Sequence, residues 1–169
     1  MLHAYIGDGK GKTTAATGLA VRFSGDGKKV EVLQFLKDGT SCENECLKML
    51  NIKITPYQKN GGFFWTMTEE EKCCLKEETN CGIKYAESLL SGECDMVVMD
   101  EILGAVENNL VDRDYLVLLL KKYKDEKEIV ITGRLLPEEI LEICDYVSEI
   151  KKIKHPFDKG IGAKKGIEF

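Results

Sequence analysis

The sequence predicts a single α/β domain, a mostly parallel sheet with helices on both faces. Three observations predict it. Short apolar runs alternate with helix-length amphipathic stretches along the whole chain. Residues 96–99 are apolar at every position, as in a strand covered on both sides. The 169 residues fit one domain of ordinary size, here residues 1–169, and no linker or repeat divides them.

Each element has its own local reason. Residues 2–6 read as a first strand, followed by a glycine-rich turn and a helix over about 13–24 that Gly25 would close. Residues 30–35 give a second strand and 52–56 a weaker third. Thr68 and Glu71 form a capping box, each side chain placed to satisfy a free amide at a helix start. The helix behind it carries Leu75, Ile83, Ala86 and Leu90 on one face. After the strand at 96–99, Asp112 can cap a helix running to about Tyr123. Residues 129–132 form another buried strand, Pro137 suits a first helical turn, and 146–150 suit a last strand. A lysine- and glycine-rich tail follows, and its lysines read mainly as a solvated basic end.

Composition narrows the function classes. Hydrophobic residues make up 43% and charged residues 31%, with only 3 prolines, which excludes disordered and fibrous chains. The longest apolar run, 115–120, is far short of the ~20 residues that span a bilayer. Met1 leads at once into a strand, so neither a signal nor a transit peptide is expected and a cytoplasmic location is. A net charge of −5 and no basic stripe argue against nucleic acid as a partner. The 7 cysteines are expected to be reduced thiols. Cys42 and Cys46 could be half of a zinc site, but Cys73, Cys74 and Cys81 have poor chelate spacing for the other half.

The most informative stretch is Gly7-Asp8-Gly9-Lys10-Gly11-Lys12-Thr13-Thr14, between the first strand and the first helix. Glycines let backbone amides turn inward around an anion, and the helix N-terminus adds partial positive charge. Lys12 can reach terminal phosphate oxygens, and the Thr13 hydroxyl can ligate Mg²⁺. The loop is one residue tighter than the common phosphate-loop pattern, because only three residues separate Gly7 from the Gly11-Lys12 pair. The apolar strand ending in Asp100 and Glu101 supplies carboxylates at the sheet edge where ligands gather. Arg134, in Thr132-Gly133-Arg134, should open on the same crevice and can hold a phosphate. Arg22 lies about 15 Å along the first helix and reads equally as ligand contact or solvated residue. A phosphate-loop NTPase-like (RecA-like) fold binding a nucleoside triphosphate with Mg²⁺ is the expectation.

Gly62-Phe63-Phe64-Trp65 places three aromatics in a loop just before the capping box. They could fold back into the core, or offer a surface to a flat apolar ligand or a partner. At this point the chain resembles the phosphate-loop corrinoid adenosyltransferases, the cob(I)yrinic acid a,c-diamide or cob(I)alamin type. The resemblance rests on the shortened loop, Gln34-Phe35-Leu36-Lys37, Gly62-Phe63-Phe64-Trp65, Met99-Asp100-Glu101 and Thr132-Gly133-Arg134. Lys154-His155-Pro156-Phe157, Gly160-Ile161 and Gly166-Ile167-Glu168-Phe169 complete it. Phe64 stands where threonine is usual, and Lys164 where glutamine is.

The resemblance implies transfer of the 5′-deoxyadenosyl group of ATP to Co(I) of a reduced corrinoid, with release of triphosphate. It implies Mg²⁺ or Mn²⁺ on Thr13 and Glu101, and ATP on residues Gly7 to Thr14 and Arg134. It makes Phe63 and Trp65 the corrinoid residues, displacing the lower axial ligand and easing Co(II) reduction, with Lys12 as the third catalytic residue. It also implies a flavoprotein electron donor and a homodimer. Two other readings fit the loop: a nucleotide or nucleoside kinase with Glu101 as base, and a non-catalytic ATP-binding regulator using the aromatic loop on a partner.

Overall fold

In the computed structural model, residues 1–168 are described apart from Asn60, Gly61 and Phe63. The elements are β1 (Leu2–Ile6), α1 (Lys12–Ser24), β2 (Val30–Phe35), α2 (Glu43–Met49), β3 (Lys53–Tyr57), α3 (Glu69–Leu90) and β4 (Met96–Asp100). Then come α4 (Ile102–Glu107), α5 (Arg113–Tyr123), β5 (Glu128–Thr132), α6 (Glu138–Leu141) and β6 (Tyr146–Glu149). Short 3-10 turns occupy Phe64–Thr66 and Pro156–Lys159. Six strands form one sheet in the order β3-β2-β4-β5-β1-β6, every pairing parallel.

The alternation of side chains along the strands explains the two layers. One apolar layer joins Val97, Met99, Ile129, Ile131, Leu33 and Phe35 to Leu75, Ile83, Ala86 and Leu90 of α3 and to α4 and α5. The opposite layer joins Met96, Val98, Val130, Val30 and Val32 to Ala16 and Ala20 of α1 and Leu47 of α2. Because β4 is buried on both faces, its polar end, Asp100, is carried into the interior at the carboxyl edge of the sheet.

The capping box forms as the sequence predicts: Glu71 N–H donates to Thr68 Oγ1 and Thr68 N–H donates to Glu71. Two helix ends differ. Gly25 is right-handed, and the glycine that takes the left-handed turn out of α1 is Gly27, with φ 74°. Pro137 has extended backbone and stands just before α6 rather than inside its first turn.

Candidate functional site

The phosphate loop leaves β1 and enters α1 at the carboxyl edge of the sheet, beside the ends of β5 and β6. Gly7 N–H donates to the Arg134 carbonyl at 3.1 Å, and Gly9 N–H to the Ile150 carbonyl at 2.8 Å. The glycine at position 7 is required twice over. Its φ is +112°, and a Cβ there would sit 2.4 Å from the Ile150 carbonyl oxygen. The loop is therefore clamped between the end of β5 and the chain leaving β6.

Lys12 opens α1, whose first turn has neither a side-chain cap nor an acidic residue. Its amides and dipole are left for an anion. Lys12 Nζ donates to the Gly9 carbonyl at 3.0 Å, holding its charge over the loop. Gly7 and Gly9 are buried, Gly11, Lys12 and Thr13 half-buried, and Asp8, Lys10 and Thr14 exposed. Asp8 accepts the Lys152 N–H at 3.0 Å, and that bond holds its carboxyl below the usual range. This ties the tail to the loop.

Asp100 is the hub beneath the loop. Only 1% exposed, it accepts from Thr13 Oγ1 at 3.0 and 3.3 Å, from Thr132 Oγ1 at 2.7 Å and from Lys37 Nζ at 2.7 Å. Lys37 Nζ also donates to Thr13 Oγ1 at 3.2 Å. Glu101, next along, is half-buried and left-handed with φ 60°; its backbone N–H donates to Thr132 Oγ1 at 2.8 Å. Burial, and then the Asp100 charge, push the Glu101 carboxyl above its ordinary range, opposed by Lys37, Lys12 and Arg134. The site thus sets two carboxylates against three cations.

A cleft of about 470 Å³ joins this charged set to the aromatic loop, with Lys12, Lys37, Glu101 and Arg134 on one side and Phe64 and Trp65 on the other. The two readings of the aromatic loop divide between residues. Phe64 packs against the core, under Lys72, whose Nζ is 5.4 Å from the ring centroid. Trp65 is 75% exposed and faces the cleft. Phe63, the other residue assigned to the corrinoid, lies outside the described residues.

Arg134 is exposed and borders a second cleft of about 430 Å³ with Asp8, Lys152, His155 and Phe157 of the tail. A third, of about 500 Å³, lies beside Thr13, Thr14 and Lys37, with Cys42, just before α2, and Cys46 of α2 on its wall. The predicted loop residues, Glu101, Arg134 and Trp65 therefore come together around one edge of the sheet. Arg22 does not: it is exposed in the last turn of α1 and lines none of these clefts.

Sequence reasoning gave no role to Lys37, Thr132 or the Ile150–Lys152 stretch. The signal for Lys37 and Thr132 was their position just past or at a strand end, where polar side chains turn toward the ligand edge. The seven cysteines are free thiols. Among the described residues no three of His, Cys, Asp and Glu gather to hold a metal.

A family model described as ATP:corrinoid adenosyltransferase BtuR/CobO/CobP matches residues 1–169. The chain belongs to this family. The corrinoid adenosyltransferase of Escherichia coli is 36% identical over 169 residues, covering 98% of this chain and 83% of the relative. The corrinoid adenosyltransferase CobA of Salmonella typhimurium is 35% identical with the same coverage. That of Pseudomonas aeruginosa is 29% identical over 170 residues, covering all of this chain and 83% of the relative. The family assignment separates this chain from kinases built on the same loop and from non-catalytic ATP-binding regulators.

Proposed function

We propose that this chain, as one domain over residues 1–169, transfers the 5′-deoxyadenosyl group of ATP to the cobalt of a reduced corrinoid, releasing triphosphate. The observation that carries this reading is the single cleft that joins Lys12, Glu101 and Arg134 to Trp65. Co(I) attacks the ribose C5′. The Co–C5′ bond forms, the C5′–O5′ bond breaks, and triphosphate leaves with that bond's electron pair while cobalt goes from Co(I) to Co(III). The corrinoid brings the nucleophile, so the protein needs no base; it must place C5′ in line and neutralise the leaving group.

Residues divide accordingly. The amides of Gly7 to Thr14, with Lys12 and Arg134, hold the triphosphate. The attacked atom is on the ribose, so the nucleotide lies with its adenosine toward Trp65 rather than presenting its γ-phosphate. Trp65, and Phe63 two positions before it in sequence, pack against the corrin and exclude its lower axial ligand. Thr13 and Glu101 are the residues that would hold Mg²⁺ or Mn²⁺, with Asp100 behind them. The donor set fits: these are hard oxygen ligands, too few for a closed cage, which suits an ion sharing its shell with phosphate oxygens and water. When bound, such an ion supplies charge neutralisation to the phosphates.

The family resemblance extends the proposal to a flavoprotein that reduces Co(II) to Co(I), to a homodimer and to the cytoplasm. No helix among the described residues is long and apolar enough to cross a membrane.

The test is a visible absorption assay with chemically reduced cob(I)alamin, Mg²⁺ and ATP in the dark. The expected result is an alkylcobalamin that light destroys, with triphosphate as the other product. No spectral change with fresh Co(I), while ATP still binds, would overturn the reading.

A further inference from the structure

Lys37 is the one cation placed directly on both Thr13 and Asp100 among the described hydrogen bonds. Its ammonium sits 3.2 Å from Thr13 Oγ1 and 2.7 Å from Asp100 Oδ2. Thr13 gives its own proton to Asp100, so the oxygen face that a metal ion would use is the face Lys37 occupies. Asp100 cannot turn away, because it is buried and its Oδ1 also accepts from Thr132 at 2.7 Å.

Backbone and register both aim the lysine here. Gln34 of β2 lies opposite Asp100 of β4. Leu36, just past β2, is left-handed with φ 54°, an uncommon conformation for a leucine, and it turns Lys37 back across the strand ends. Glu101 takes the same conformation at the end of β4. Lys37 is only part-buried, at 23%, and borders both the aromatic cleft and the one beside α2, so its flexible stem has room to leave.

We propose that Lys37 is the protein's own cation at the metal position, a positioning residue that a divalent ion arriving with the nucleotide displaces. This rests on the reading of Thr13 and Glu101 as the residues that hold that ion. Without nucleotide, Lys37 balances Asp100 and holds the Thr13 hydroxyl in place. A bare divalent ion must then evict an ammonium without offering it a new partner. An ion carrying triphosphate oxygens brings that partner with it. Metal binding is thereby made conditional on nucleotide.

The test titrates the full chain with Mn²⁺ alone, free ion being read by electron paramagnetic resonance, and repeats the titration with ATP. The unsubstituted chain binds Mn²⁺ weakly without nucleotide. Lys37→Met and Lys37→Gln, which leave Asp100 and Glu101 without that cation, bind it at least about tenfold more tightly. Lys37→Arg, which keeps the charge, stays like the unsubstituted chain. The glutamine variant retains a polar head for Thr13 and Asp100, so a folding defect in the methionine variant does not stall the test. Neutral variants that bind Mn²⁺ no more tightly than the parent, or an arginine variant that tightens as much as they do, would overturn the proposal. The readout needs no corrinoid. A chain showing these shifts without adenosyl transfer would sink the proposed function alone, and transfer without the shifts would sink only the role of Lys37.

Discussion

The two halves of the cleft are built on opposite principles. On the phosphate side the frame is already placed: Asp100 is buried with four hydrogen-bond contacts, and the loop is held by carbonyls of two other segments. On the aromatic side a tryptophan stands mostly in solvent at the lip of the same cleft. Under the proposed function the difference follows from the ligands. Charge stabilisation is strongest where dipoles need no rearrangement, so the loop and Asp100 are organised in advance, and Lys37 is the group that moves aside. A flat apolar macrocycle is held by area removed from water, which an exposed ring can offer only until its partner covers it.

The contrast is broken most severely at Lys12. Lys12→Ala removes a charge placed over the loop, and a loss of about 10²–10³-fold or more in adenosyl transfer is expected, together with weaker ATP binding. Kinetics alongside ATP titration check both. An effect on corrin affinity alone would show that the two halves are not separate.

Next in size is the frame behind the phosphate half. A Cβ at Gly133 would lie 2.4 Å from Leu103 Cβ and 3.1 Å from the Gly104 nitrogen. Gly133→Ala must therefore push α4 away from β5, at a cost of about 1–3 kcal/mol. A thermal melt should show this, and Arg134, the next residue, should lose affinity for ATP with it.

Trp65→Ala sharpens the comparison from the other side. An exposed ring contributes little to folding, so stability should change by no more than about 0.5 kcal/mol. ATP affinity should hold, while corrinoid binding and Co(II) reduction fall. Equal loss of ATP affinity in the Lys12 and Trp65 variants would contradict the division of labour.

The expectation with least bearing on either half concerns the buried thiols. Burial, then the Asp145 charge, push the Cys144 thiol up to about 11, and burial raises Cys94 as well. At neutral pH Cys144 should alkylate roughly a hundredfold or more slowly than an ordinary thiol. Exposed Cys46, Cys73, Cys74 and Cys81 should react first, and mass spectrometry of timed samples orders them.

What the chain reveals locally and what it hides have a common cause. The phosphate loop, the strand ending at Asp100 and the capping box at Thr68 are contiguous patterns, and each forms where the sequence predicts. Helix α2 has seven residues, only Asn44 and Leu47 of them buried, and no side-chain cap, which leaves too little periodicity to read. Helix α4 begins on a left-handed Glu101 and contains a glycine, so its apolar run carries no start signal. The Lys37–Asp100 pair spans 63 positions and arises from the register of β2 on β4. The clamp of Ile150 on the loop depends on β6 lying beside β1. Contacts of that kind belong to the sheet order, which no local pattern contains.

The central claim is that one cleft holds both substrates, so that ribose C5′ lies between phosphate loop and cobalt. The most direct measurement is the dipolar coupling between Mn²⁺ and Co(II) in a ternary complex with ATP and cob(II)alamin. The account predicts a coupled pair no farther apart than an extended ATP molecule. Uncoupled spectra from a complex in which both spins are demonstrably bound would contradict it.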